Sequence, residues 1–125
     1  MKTFKLEQLL TITTGLRLVA DMKEMYVLIS YMMGFDIFTH ETPSAFEFIK
    51  PHILSQYPDL ESVHIQRITE SNYIEVMSAL RKKYGEKFLL NPILYVDAIK
   101  FRKDEFEKIS HKAVFKIIDE DESHT

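Results

Sequence analysis

Gly15, Gly34 and Gly85 are the only glycines in this 125-residue chain, and each stands where a run of helical periodicity gives out. A glycine just past a helix adopts the left-handed conformation that closes the last turn at little steric cost, so all three read as helix stops. The same scarcity excludes a chemistry. A phosphate-cradling loop needs several glycines close together, which rules out P-loop and dinucleotide-binding folds.

These stops organise the chain. Leu6, Leu9, Leu10 and Ile12 fit a short helix over Leu6–Thr14. A second helix runs from about Asp21, its N-cap, to Met33, with Met22, Met25, Tyr26, Ile29, Met32 and Met33 on one stripe. Val27, Leu28 and Tyr31 lie off that stripe, so this helix is apolar nearly all round and belongs either in the core or at a subunit interface. Thr42 and Pro43 open a third helix that reaches Tyr57, with Pro51 predicting a kink or break between Ile49 and His52. Alternation over Ser62–Ile68 predicts a strand. A fourth helix, capped by Thr69 or Ser71, carries Tyr73, Val76, Met77, Leu80 and Tyr84 before Gly85, and Lys87–Leu90 predicts another strand. Strand, helix and strand in that order suggest a right-handed crossover between parallel strands. Ile93–Phe101 fits neither period, so an irregular arm, a strand and a helix stay open there; Asp104–Ile109 reads as a short helix and Ala113–Ile118 as a closing strand.

The expected fold class is therefore α+β and mostly helical, about four helices with a small two- or three-stranded sheet. One globular domain is expected over residues 1–118, followed by an acidic, disordered tail over 119–125. Cysteine is absent, which removes disulfides, zinc ribbons, Fe–S sites and thiol nucleophiles. Glu7 and Gln8 interrupt the apolar run that a secretory signal requires, and no apolar stretch approaches the roughly 20 residues of a membrane span. A cytoplasmic protein with no membrane contact is expected.

The net charge of −3 conceals an asymmetry. Residues 61–118 hold 11 basic and 8 acidic groups, whereas 119–125 hold 4 acidic groups and no Lys or Arg. The excess includes Arg81, Lys82, Lys83, Lys87, Lys100, Arg102 and Lys103, which form either a solvated helix end or an anion-facing patch. A sequence pI of about 5.9 argues against a nucleic-acid partner.

Catalytic signatures are missing. No two of His40, His52, His64, His111 and His124 have the spacing that puts paired metal ligands on one helix face, and there is no nucleophile elbow or SxxK. The expectation is a non-enzyme with no catalytic residues, no metal and no cofactor. Two segments nevertheless carry ligand-type side chains. One is the hydroxyl-rich helix end with Thr13, Thr14 and Arg17; the other is the aromatic loop with Phe38, Thr39 and His40. Each also has a local explanation, since threonines bond back to helix carbonyls and loop aromatics plug cores. Brought together, they would offer a guanidinium for phosphate, aromatic faces for a base, and hydroxyl and imidazole groups for sugar or phosphate oxygens.

The TITTG at 11–15, Met22 with MYVLISYMMG at 25–34, FTH at 38–40 with Pro43 and Ala45, and RKKYG at 81–85 resemble a family of short, uncharacterised phage and prophage proteins. In that family an arginine directly follows the TTG; here Leu16 stands there and the arginine is Arg17. The resemblance implies a phage accessory protein acting in the host cytoplasm as a counter-defence factor. The leading expectation is a sponge that sequesters a nucleotide-derived signal or similar small anionic ligand as a homodimer. The alternative is an inhibitor that binds a host defence effector or nuclease.

Overall fold

The computed structural model describes residues 1–65 and 67–108, which fall into two compact units, Met1–Ile93 and a second beginning at Leu94. The first contains β1 (Lys2–Lys5), α1 (Leu6–Thr14), α2 (Lys23–Met33), α3 (Thr42–Gln56), α4 (Tyr73–Tyr84) and β2 (Lys87–Leu90), with 3₁₀ turns at Thr39–Glu41 and Pro58–Ser62. The second contains α5, residues 95–108. Helix dominates, with five α-helices instead of about four among the described residues.

α1 is the centre of the first unit and packs against α2, α3 and α4. Its Leu6, Leu9 and Leu10 are fully buried, and Ile12 nearly so. Burial extends to polar residues that have been given partners. Gln8 accepts from the Lys5 amide at 2.8 Å and donates to the Glu24 carbonyl at 2.9 Å, joining the entrances of α1 and α2. The Thr11 hydroxyl donates to the Glu7 carbonyl at 2.7 Å and accepts from the Leu18 amide at 3.2 Å. Arg81 reaches Glu7 at 3.2 Å and ties α4 to the same helix.

α2 begins within two residues of its expected start, with the Asp21 carboxylate accepting from the Lys23 amide at 2.9 Å. Met25, Leu28, Ile29, Met32 and Met33 are buried within the single chain, and the Tyr31 hydroxyl donates to the Leu90 carbonyl at 2.7 Å. Most of the helix's surplus apolar surface is thus core, with Val27 left exposed. α3 is helical straight through Pro51, so the predicted break does not occur. Pro51 is on the exposed side, where water can serve the Glu47 carbonyl that proline leaves without its usual donor.

The sheet differs from expectation. β2 pairs with β1, antiparallel, in the register Lys2↔Leu90, Thr3↔Leu89, Phe4↔Phe88 and Lys5↔Lys87. No parallel crossover forms because the strand expected at Ser62–Ile68 is absent from the described residues. Its first residue closes the 3₁₀ turn, Val63 is extended, and residues 63–65 pair with no strand among the described residues. Gly15 and Gly34 take the expected left-handed conformation at φ 78° and 80°, but Gly85, at φ 106° and ψ 169°, is in an extended positive-φ region instead. That region is open essentially to glycine alone, and here it turns the chain from α4 into β2.

Of the three readings open for 93–101, α5 takes the helical one from residue 95 onward, and it continues through residues 104–108 of the expected short helix. Ala98 and Phe101 are buried, whereas Tyr95, Val96, Ile99 and Phe106 are exposed. The strand expected at Ala113–Ile118 and the acidic tail lie outside the described residues. Among the described residues, no helix is long and apolar enough to cross a membrane.

Candidate functional site

The C-terminal end of α1, the second half of α3 and residues 63–65 enclose a cleft of about 480 Å³. Ligand sites occupy roughly 300–1,000 Å³. Leu16, Leu54, Val63 and Ile65 form its apolar wall, and Thr13, Thr14, Lys50, Glu61 and His64 supply the polar groups. A groove of about 210 Å³ shares Thr13, Thr14 and Lys50 and continues toward Phe46 and Glu47.

The geometry of this site starts with three threonines on α1. A helical threonine has a ready acceptor in the carbonyl four residues earlier. Thr11 uses it, and Thr14 uses it too, donating to the Leu10 carbonyl at 2.6 Å. Thr13 does not. Its residue is 9% exposed, and its hydroxyl oxygen is buried with no hydrogen-bond partner among the described residues. A buried polar atom without a partner costs about 1–3 kcal/mol, and Thr13 is one of the residues that line the cleft.

The charges across the cleft are mixed. Lys50 and Glu61 both line it, and among the described residues neither forms an ion pair. α1 also ends here, and the carbonyls of a helix C-terminus favour hydrogen-bond donors over anions. The cleft therefore holds both a cation and acceptor groups.

The residues singled out in the sequence divide among different surfaces. Thr13 and Thr14 belong to the cleft. Arg17 lines a separate depression beside Glu70 and Tyr73, and its guanidinium is turned onto the chain's own backbone, donating to the carbonyls of Val19 at 3.4 Å and Ala20 at 3.0 Å. Phe38 and His40 stack on each other at 5.8 Å with rings 7° apart, while the Thr39 carbonyl accepts from Thr42 at 2.7 Å. Neither Arg17 nor Phe38, Thr39 and His40 line the cleft that holds Thr13 and Thr14. Lys50, Glu61 and His64 were not singled out as ligand groups, and no motif marks them, since only tertiary packing brings them beside α1.

A smaller cleft of about 240 Å³ lies among Tyr57, Lys83, Tyr84 and Phe88, but two of its polar groups are engaged. The Tyr57 hydroxyl donates to the Leu89 carbonyl at 2.6 Å, and the Lys83 ammonium lies 5.2 Å from the centre of the Tyr84 ring. No group of three His, Asp or Glu residues that could hold a metal occurs among the described residues.

Residues 4–63 match the family model of a domain of unknown function, DUF7736. The matched stretch runs from β1 through α3 to Val63 and so contains the cleft residues Thr13, Thr14, Lys50 and Glu61. No curated protein and no solved structure matches the chain.

Proposed function

We propose that this chain is a non-catalytic, phage-type counter-defence protein that binds and sequesters a nucleotide-derived signal, or a similar small anionic ligand, in the cleft at the end of α1. The observation that carries this is the buried, partnerless Thr13 hydroxyl on a wall shared with Lys50. The hydroxyl supplies hydrogen-bonding specificity and the ammonium an anchor for phosphate, while the four aliphatic side chains shelter the rest of the ligand. Sequestration is preferred to turnover because the polar groups of the cleft do not activate one another. Thr14 donates away to its own helix, and no hydrogen bond links Thr13, Lys50, Glu61 and His64 among the described residues. The phage assignment rests on the sequence resemblance.

Calorimetry of the parent and of Lys50→Ala and Thr13→Val against a nucleotide panel tests the site. Both variants should lose affinity, while alanine at Arg17 or His40 should not. Heating the complex should release the ligand chemically intact. If stoichiometric protein leaves every panel member free in solution, the sponge reading is wrong.

The alternative, a protein-binding inhibitor, draws on a different observation. α2 buries Met25, Met32 and Met33, but α5 exposes Tyr95, Val96, Ile99 and Phe106. Lysine at Tyr95 and Phe106 should abolish inhibition of a purified effector under this alternative and leave it unchanged if the cleft acts alone.

A further inference from the structure

From the presence of Glu61 and an unpaired Lys50 in one cleft, and resting on the nucleotide-binding reading above, we infer that the cleft selects guanine among the bases. The cleft holds a cation and a carboxylate that do not pair with each other among the described residues, so a bare anion gains from Lys50 and is repelled by Glu61. A ligand that satisfies both must carry a negative charge and hydrogen-bond donors. The α1 C-terminus acts in the same direction as Glu61, because its carbonyls also accept.

Among nucleotides, donor geometry then decides. A carboxylate presents two acceptor oxygens side by side and is best matched by two adjacent N–H donors. Guanine offers that pair on its pairing edge, N1–H beside the 2-amino group. Adenine places one amino group beside the N1 lone pair, cytosine one beside N3, and uracil a single N–H between two carbonyls. Each of those three brings an acceptor against the carboxylate and leaves one of its oxygens without a donor. In this reading Glu61 takes the base, Leu54, Val63 and Ile65 are the apolar groups for its faces, and Lys50 is the cation for the phosphate. Thr13 and His64 are among the polar groups left for the purine or ribose.

The test is calorimetry of the full chain with the monophosphates of guanosine, inosine, adenosine, cytidine and uridine, repeated on Glu61→Gln and Lys50→Ala. Glu61 is exposed, so its conservative replacement should keep the fold, and the melting temperature checks that. Guanosine monophosphate should bind roughly 5- to 150-fold more tightly than the adenosine form, the range expected of a good bidentate pair. Inosine monophosphate, lacking the 2-amino group, should fall between them. Glu61→Gln should flatten the series and Lys50→Ala should weaken every member. Equal affinities across the bases, still dependent on Lys50, would overturn guanine selection and leave nucleotide binding standing. A guanine preference that survives Glu61→Gln would also overturn it. No binding by any of the five would remove the underlying nucleotide reading and this inference with it.

Discussion

Replacing Thr13 with valine should make the protein more stable and a poorer binder at once. Valine keeps the branched shape, has nearly the helix propensity of threonine, and exchanges a hydroxyl for a methyl group. The Thr13 hydroxyl makes no hydrogen bond among the described residues, so none of those is lost, and its desolvation cost of about 1–3 kcal/mol is relieved. A gain near the low end, about 1 kcal/mol, raises the melting temperature of a unit this size by roughly 4–8 °C. Ligand affinity should fall about 2- to 12-fold, the equivalent of one hydrogen bond worth about 0.5–1.5 kcal/mol. Thr11 supplies the comparison, being two residues away, buried, and bonded on both its donor and acceptor sides. Thr11→Val strands the Leu18 amide and should cost about 1–3 kcal/mol. Urea melts and calorimetry measure both quantities. Destabilisation of Thr13→Val would mean that the hydroxyl has an internal role, and stabilisation with unchanged affinity would mean that the ligand does not use it. Either result breaks the link between the orphaned atom and function.

Gly85→Ala should cost about 1–3 kcal/mol in urea melts even though its new methyl would meet only ordinary contact with Phe88 at 3.8 Å, because the backbone conformation itself is unfavourable for a side chain. Gly15→Ala, in the milder left-handed cap, should cost about 1–2 kcal/mol, so equal losses at the two sites would contradict this ranking. Burial, reinforced by nearby Glu7, raises the Tyr73 phenol above its ordinary value, and its hydroxyl donates to the Leu18 carbonyl at 2.6 Å. A raised folded pKa means that this contribution is complete below about pH 10 and is lost as pH climbs through the folded value, so Tyr73→Phe should reduce the alkaline fall in stability. A dimer built on the exposed side chains of α5 should dissociate in Ile99→Lys and be unaffected by Val27→Lys, as read by light scattering.

The helices of the first unit were legible because their signals are local. Asp21, Thr42, Pro43, Gly15 and Gly34 punctuate α1, α2 and α3 in sequence much as they do in space. β1 was not, since KTFK has one apolar residue and its partner lies more than eighty residues away. Ser62–Ile68 carries the alternation of a strand, and Val63 is indeed buried beside exposed His64, but alternation reports which side faces the core and cannot create a neighbouring strand. The first half of α5 stayed open between arm, strand and helix because its apolar residues fall on more than one face, which blurs the period. At the site, hydroxyls at the end of α1 were visible as an oddity. Arg17 lies on another surface, where the carbonyls of Val19 and Ala20 hold its guanidinium, and Lys50, Glu61 and His64 were brought beside α1 only by tertiary packing.

The pairing of Lys2 with Leu90 brings the two ends of the first unit side by side, and this governs how the unit responds to load. Tension between Met1 and Ile93 opens the ladder from that end and meets its hydrogen bonds one after another, as in a zipper, instead of shearing them together. Peeling β1 away then pulls on the Lys5 amide that holds Gln8 and on the helix that forms the wall of the cleft. The unit should therefore yield at low force, and its ligand cleft should be among the first features lost.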